Sequence, residues 1–238
     1  ACLPSGPGGD SPDGRTIVFS SGPPFNLFRT DASGSGQPER LTQSTHSQWA
    51  TDWSRDGRLV LYYELAPSTR RDLWVLQFAT VGSPIRDGKP VPYLKSPHSE
   101  SWGRFSPQQQ PKWVAYQSDE TGRYEIYIEA FPQPRRKLRI SAAGGQYPIW
   151  SGDGGELFYM SLDGKLMLVS LKQRASSLEP SLPLELFALP TVDPGQPVFD
   201  VTQDAQRFLV RVTPQHGAQP LTAIVNWPML LTNQQQVQ

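Results

Sequence analysis

The side chains that could do chemistry in this 238-residue chain are few: one cysteine, three histidines, and aspartates that recur beside glycine. Cys2 has no partner for an internal disulfide, and with His46, His98 and His216 it falls short of a Cys-rich zinc site. None of the histidines has a second ligand four residues on, the spacing that sets two ligands on one helix face. No Gly-x-Ser-x-Gly elbow and no His-Glu-x-x-His stretch occurs, and Gly34-Ser35-Gly36 and Gly152-Asp153-Gly154-Gly155 lack the Lys-Ser/Thr of a phosphate-cradling loop. Asp163-Gly164-Lys165 reads as a hairpin turn, since a calcium loop needs oxygen ligands at alternating positions. No catalytic residue, metal centre or cofactor is therefore expected.

Two segments do carry functional content. His46-Ser47-Gln48-Trp49 and His98-Ser99-Glu100-Ser101-Trp102 both begin eight residues before a serine, Ser54 or Ser106, and Gln146 and Tyr147 hold a related place before Ser151. Imidazole and indole groups combine apolar area with hydrogen-bond donors, which suits a peptide or a small polar ligand. His46, Trp49, His98, Glu100, Trp102, Gln146 and Tyr147 are thus candidate binding residues. The alternative is that they pack the segment they sit in.

Those serines open a repeat that must position the candidates. Ser11-Pro12-Asp13-Gly14, Ser54-Arg55-Asp56-Gly57, Ser106-Pro107-Gln108-Gln109, Ser151-Gly152-Asp153-Gly154 and Thr202-Gln203-Asp204-Ala205 start 43, 52, 45 and 51 residues apart. A strand-length apolar run follows each, as in Leu59-Val60-Leu61-Tyr62-Tyr63 or Trp113-Val114-Ala115-Tyr116, and a second lies further on, as in Leu73-Trp74-Val75-Leu76. With a short segment before the corner and another closing the unit, there are four strands per unit, β-branched and aromatic. Four short strands per unit of this length predict the blades of a β-propeller, and the nearly continuous apolar runs suit sheets covered on both faces. Asp13, Gly14, Asp56, Gly57, Asp153 and Gly154 then read as structural turn residues, with glycine supplying positive φ and aspartate accepting turn N–H groups. Gln108-Gln109-Gln110-Pro111 predicts a longer or looser third turn. If the strand before each corner is innermost in its blade, the seven candidates lie at one mouth of a central channel.

Composition narrows the partners. With 22 Lys plus Arg against 22 Asp plus Glu the net charge is zero, so no nucleic acid is expected, and Arg135-Arg136-Lys137-Leu138-Arg139 reads as a solvated connection within a blade. The 24 prolines and 20 glycines leave little room for long helices, and no stretch is apolar enough for a membrane-spanning helix.

Trp53-Ser54-Arg55-Asp56-Gly57-Arg58 and Ser118-Asp119-Glu120-Thr121-Gly122-Arg123-Tyr124-Glu125-Ile126-Tyr127 resemble the WD-like repeat of TolB-type β-propellers. Ser141-Ala142-Ala143-Gly144-Gly145-Gln146-Tyr147-Pro148-Ile149-Trp150, the Asp153 to Tyr159 stretch, and the ending from Arg207 to Trp227 are similar to the propeller at the C-terminal end of bacterial membrane-anchored serine/threonine kinases. The chain carries no kinase motif of its own. The resemblance implies a noncatalytic, monomeric, ligand- or protein-binding propeller on the extracytoplasmic, periplasmic side, serving as sensory region of a larger bacterial signalling protein. An accessory propeller of a serine peptidase, or a freestanding TolB-like interaction protein, is the alternative.

The expected organisation is a Pro/Gly-rich linker or blade remnant at 1–10, a propeller over 11–232 and a polar tail at 233–238, with repeats at about 11–42, 43–95, 96–141, 142–190 and 191–232. Five repeats where TolB-type rings have six predict either an upstream sixth blade or closure of the first unit on the last, because an open ring leaves strand edges unpaired. A chain extended upstream of Ala1 is expected to melt at a higher temperature than this one; equal melting temperatures would rule out the upstream blade.

Overall fold

The computed structural model describes residues 9–78, 88–174, 177–190 and 199–211, together with the backbone of 222–225. Regular structure among the described residues is all strand, and no helix is long and apolar enough to cross a membrane. The strands form five antiparallel sheets that follow one another along the chain. The first comprises β1 (Gly9–Asp10), β2 (Thr16–Ser21), β3 (Asn26–Asp31) and β4 (Glu39–Arg40), and the second β5 (Gln48–Trp53), β6 (Leu59–Ala66), β7 (Arg70–Gln77) and β8 (Lys89–Leu94). The third comprises β9 (Glu100–Phe105), β10 (Trp113–Ser118), β11 (Glu125–Ala130) and β12 (Leu138–Arg139). The fourth holds β13 (Gln146–Trp150), β14 (Glu156–Met160), β15 (Lys165–Arg174), β16 (Ser177–Pro180) and β17 (Leu184–Ala188), and the fifth β18 (Phe199–Val201), β19 (Arg207–Val210) and β20 (Thr222–Val225). Each sheet is a meander, the arrangement of a propeller blade.

What makes these segments strands is that both sheet faces are covered. All six residues of β10 are buried, and β11 alternates Ile126 and Ile128 toward the fourth sheet with Tyr127 toward the second. Four buried clusters lie between successive sheets, from Val18, Leu27 and Tyr62 between the first pair to Phe158, Phe199 and Phe208 between the last. Among the described residues none of these four joins the fifth sheet to the first; Phe19 and Phe28, stacked at 6.0 Å on the outer face of the first sheet, are half-buried, and Leu209 on the fifth is 48% exposed.

Two boundaries differ from the sequence expectation. Gly9 pairs with Val18 and Asp10 with Ile17, so the first sheet has its own inner strand just before Ser11, within the 1–10 stretch expected as a linker or blade remnant. The missed signal is weak because two residues carry no periodicity. In the fourth sheet β15 runs on past Val169 and pairs its far half, Leu171 to Arg174, with β16, while its near half pairs with β17. The end of the fifth unit around Trp227, where no closing strand is expected, and the expected tail at 233–238 lie outside the described residues.

A side-chain device recurs at the corners. Ser54 Oγ donates to Asp56 Oδ1 at 2.6 Å and accepts the Leu59 N–H at 3.0 Å, while Asp56 Oδ1 accepts the Arg58 N–H at 3.1 Å. Ser11 with Asp13, Ser151 with Asp153, and Thr202 with Asp204 repeat it. The chain reverses at Gly14, Gly57 and Gly154, whose φ values of 67°, 70° and 76° are left-handed. The Ser11 hydroxyl first, and then the Arg15 N–H, hold the Asp13 carboxyl below its ordinary value. The third corner lacks the aspartate: Ser106 Oγ accepts from Lys112 at 3.1 Å and Trp113 at 3.0 Å, two residues further along than Leu59 is from Ser54.

Because Ser54 is buried and serves as donor and acceptor at once, Ser54→Ala is expected to cost about 1–3 kcal/mol. The measurement is the urea midpoint at constant slope; an unchanged midpoint would mean that the glycine turn holds the corner alone.

Candidate functional site

The structure brings most of the seven candidates to the start of the inner strands, where they meet as packing and as hydrogen-bond networks. Trp49 stacks between Phe25 at 5.7 Å and Tyr63 at 5.2 Å; Tyr63 lies 6.0 Å from Trp102, and Trp102 meets Tyr147 edge-on at 5.0 Å. One aromatic ladder therefore crosses four sheets. Trp102 and Tyr147 are buried, and each sits at a register slip with φ of 55° and 58°. The Tyr147 N–H donates to Gln117 Oε1 at 3.1 Å. Trp49 and Trp102 are not counterparts, since Trp49 stands five residues before its corner serine and Trp102 four. They reach the same ladder because Tyr63 lies between them.

The polar candidates divide. His46 Nδ1 lies 3.5 Å from Glu64 Oε1, and Glu64 Oε2 accepts from Gln48 Nε2 at 2.7 Å and Ser44 Oγ at 2.9 Å. His98 is exposed and gives its backbone N–H to Ser96 Oγ at 3.0 Å. Glu100 is buried, with Oε1 accepting from Ser96 Oγ at 2.5 Å and Oε2 without a partner; burial first, and the Asp72 charge in addition, push its carboxyl up to about 7. Gln146, half-buried, stands opposite Met160. Among the described residues no three or more His, Cys, Asp or Glu side chains are placed together to hold a metal ion.

A cavity of about 160 Å³ opens at the opposite end of the inner strands, beside the corners, and none of the seven candidates lines it. Its walls come from four sheets: Asp52 and Arg55, Arg104, Trp150 and Gly152, and Gln203. Asp52 Oδ2 accepts the Phe105 N–H at 2.6 Å, and Arg104 Nη1 lies 3.8 Å from Asp52 Oδ1. Burial raises the Asp52 carboxyl, opposed by the Arg104 charge and that N–H. Trp150 Nε1 donates to Arg104 O at 3.1 Å. Arg55 Nη2 donates to Gly152 O at 2.8 Å, passing over the third sheet, and the Gly152 N–H donates to Gln203 O at 2.9 Å. A Cβ at Gly152 would stand 2.4 Å from Gln203 O, so only glycine lets the fourth and fifth corners approach. Asp52, Arg55 and Arg104 are the charged side chains of this lining, one acid against two bases. Their sequence signal was faint: Arg55 occupies the corner position where the other units have proline, glycine or glutamine, and Asp52 and Arg104 each stand two residues before a corner serine.

With this geometry, comparison with known proteins places the fold. No family model matches the chain, and no curated protein matches it. Among solved structures it is similar to a putative TolB from Agrobacterium tumefaciens, at 19% identity and TM-score 0.59 over 76% of this chain and 65% of that one. It is also similar to TolB from Acinetobacter baumannii, at 13% identity and TM-score 0.63 over 88% and 49%, and to a prolyl endopeptidase, at 15% and 0.52 over 93% and 35%. The chain thus spans 65% or less of each of these proteins. The fold they share with it is the β-propeller. Within that class its fold is similar to those of the two TolB structures, and the likeness extends to a prolyl endopeptidase.

Truncating Trp102 removes the ladder's link between the second and fourth sheets. Trp102→Ala is expected to cost about 3–5 kcal/mol, read as a lower urea midpoint with loss of near-ultraviolet ellipticity; a wild-type midpoint would instead make the indole a free binding group.

Proposed function

We propose that this chain is a noncatalytic binding propeller that recognises a peptide or small polar ligand through an anionic group at the corner-end mouth. The observation that carries this is the unbalanced charge of that mouth. Asp52 is matched by Arg104 and by a backbone N–H, with the Arg55 charge acting on it as well, whereas the Arg55 hydrogen bond goes to a neutral carbonyl, so the two arginines leave one positive charge over. An arginine held by one carbonyl keeps N–H groups in a fork suited to a carboxylate or phosphate. Trp53 Nε1, also in the lining and buried, has no acceptor. A ligand bearing a carboxylate would replace the Gly152 carbonyl as partner of Arg55 and so act on the contact between the second and fourth sheets.

This reading fits the sensory or interaction region of a larger signalling protein, such as a serine/threonine kinase, with the propeller monomeric and on the extracytoplasmic side, and with no nucleic acid among its partners. The support is the sequence resemblance together with the TolB-like fold. The likeness to a prolyl endopeptidase favours a second reading, an accessory propeller that controls access to a hydrolase.

Panning a random peptide display library against the immobilised chain is expected to enrich peptides with a free C-terminal carboxylate or acidic side chains. Arg55→Glu should lose them by tenfold or more in affinity, about 1.4 kcal/mol, with circular dichroism unchanged. Enrichment that ignores both acidity and Arg55→Glu would overturn the assignment of this mouth.

A further inference from the structure

The repeat supplies an internal comparison between neighbouring sheets. Gln48 and Glu100 stand six residues before their corner serines, Ser44 and Ser96 ten before, and Thr42 and Leu94 twelve before. Ser44 and Ser96 play one part, each accepting at 3.0 Å the N–H of the histidine two residues on. Across the inner pair of strands Gln48 lies opposite Glu64, and Glu100 opposite Ser118. In the second sheet amide and acid complete each other: Gln48 Nε2 donates to Glu64 Oε2 at 2.7 Å, and Gln48 Oε1 accepts from Thr42 Oγ1 at 2.5 Å. Ser44 Oγ donates to the same Glu64 oxygen at 2.9 Å, and His46 approaches the other.

In the third sheet the acid stands on the inner strand instead. Glu100 replaces the amide, Ser118 the acid, and Leu94 the Thr42 hydroxyl. The exchange keeps the shape of Gln48 and withdraws an NH₂ and a hydroxyl donor. Glu100 Oε1 accepts from Ser96 Oγ at 2.5 Å, but Oε2 has no partner in a residue that is 2% exposed. The third-strand position opposite Ser21, Glu64 and Ser118 changes in the same sense. Asn26 there is fully bonded, with Nδ2 on Pro24 O at 3.0 Å and Ser44 O at 3.2 Å, and Oδ1 accepting the Ser44 N–H at 2.6 Å. Asp72 Oδ2 accepts from Thr69 Oγ1 at 2.7 Å and lies 3.9 Å from Lys95 Nζ, while its Oδ1 has no partner. Glu125 is satisfied again, by Gly144 N at 2.9 Å and Ser141 Oγ on Oε2, and by Arg123 Nε at 2.8 Å on Oε1.

Asp72 and Glu125 each face a cation, Lys95 and Arg123, whereas among the described residues no ion pair reaches Glu100. The charges that act on Glu100 are Asp72 from the second sheet, Glu120 in the β10–β11 turn and Lys137 before β12, and Lys137 Nζ is given to Glu120 at 2.6 Å. Asp119, which accepts the Ser99 N–H at 2.8 Å, is paired with Arg70, and His98 is exposed. By strand alternation Glu100 and Ser118 share the face that Val114 and Tyr116 turn to the second sheet. We infer that Glu100 makes the seam between the second and third sheets proton-sensitive: the neutral acid fits the seam, and the carboxylate loosens it. A charge buried against one hydroxyl costs far more than the neutral acid, so the folded chain keeps a proton that the unfolded chain has already released. The carboxyl, ordinarily at 4.5, is pushed by burial to about 7, so the stability that Glu100 contributes is whole below 4.5, falls as pH rises from there through about 7, and is lost above it. The aromatic ladder crosses the same seam between Tyr63 and Trp102. Glu100 lies at the opposite end of the inner strands from Arg55, and its role stands or falls independently of the function proposed above.

The test is urea unfolding of the whole chain at constant ionic strength, at about pH 5 and about pH 8, for the wild type and for Glu100→Gln, which restores the amide of the second sheet. Other buried acids, Asp72 and Glu129 among them, move the wild type in the same direction, and the comparison with Glu100→Gln removes their share. Each pH unit between the two ionisations is worth about tenfold, so the unfolding constant is expected to rise on the order of a hundredfold more in the wild type than in Glu100→Gln. Ser96→Ala is the second variant and decides the matter should Glu100→Gln misfold. Removing the hydroxyl that favours the carboxylate is expected to shift the fall in stability to higher pH, whereas a merely structural hydroxyl would lower the midpoint equally at both pH values. Parallel pH profiles for the wild type and Glu100→Gln, or an unshifted profile in Ser96→Ala, would overturn the inference.

Discussion

No sheet in this chain has a core of its own, and that constraint governs the rest. Each is a thin meander whose apolar side chains are buried only when the next sheet covers them, as Tyr116 and Tyr127 of the third sheet are covered by Leu61 and Val75 of the second. The hydrophobic gain therefore arises between sheets, about 25 cal/mol per Å² of apolar surface removed from water. It also depends on each neighbour being present, as in other repeat architectures. A middle strand such as β10 must be apolar on both faces. Apart from a few buried within strands, such as Thr51 and Gln117, polar side chains gather at the outer edges and at the two ends of the inner strands, where the corner-end cavity lies.

The two ends do different things with their polarity. At the corner end the strands are tied by serine and threonine hydroxyls, each satisfied within its own turn, and what remains free to meet a ligand comes from between the turns: Arg55, Arg104 and Asp52. At the other end the ladder from Phe25 to Tyr147 fills the space. Trp102 and Tyr147 take left-handed backbone conformations at matching register slips, and the turn this imposes on each inner strand directs the rings along the ladder. Strain of this kind persists where surrounding packing over-determines it, and burial of both rings supplies that packing.

The fold was legible in the sequence because the corners punctuate it with residue types that have a local physical reason, Ser-x-Asp-Gly for a hydroxyl, an acceptor and a left-handed turn. Most strands of four or more residues were legible from their apolar runs, but β16 (Ser177–Pro180) was not. Gly9–Asp10 was not, since two residues have no period, and neither was the far half of β15, whose Lys172, Gln173 and Arg174 look like loop. For the site, equal offsets from Ser54 and Ser106 drew attention to His46 and His98, and the structure gives those offsets to residues at one end of the inner strands. The donor-lined mouth was hidden because its key contact, Arg55 to Gly152, joins residues 97 apart and depends on a missing side chain.

A repeat protein also permits an inference that a single domain does not. In an ordinary core an unpartnered oxygen has no control, whereas here the same position occurs in neighbouring sheets and two copies are fully bonded. Asn26 and Glu125 show that the position tolerates either an amide or an acid, provided that donors are supplied: main-chain N–H from Ser44 in one case, Gly144 and Ser141 in the other. At Asp72 the counterpart of Ser44 is Ser96, ten residues before its corner serine, and Asp72 Oδ1 is left without a partner. Replacement of two amides by their acids at one junction leaves it richer in acceptors than in donors. Each of the two changes leaves a buried oxygen without a donor, at the cost of its desolvation, and that same burial raises both carboxyls toward the protonated form, which carries a donor of its own.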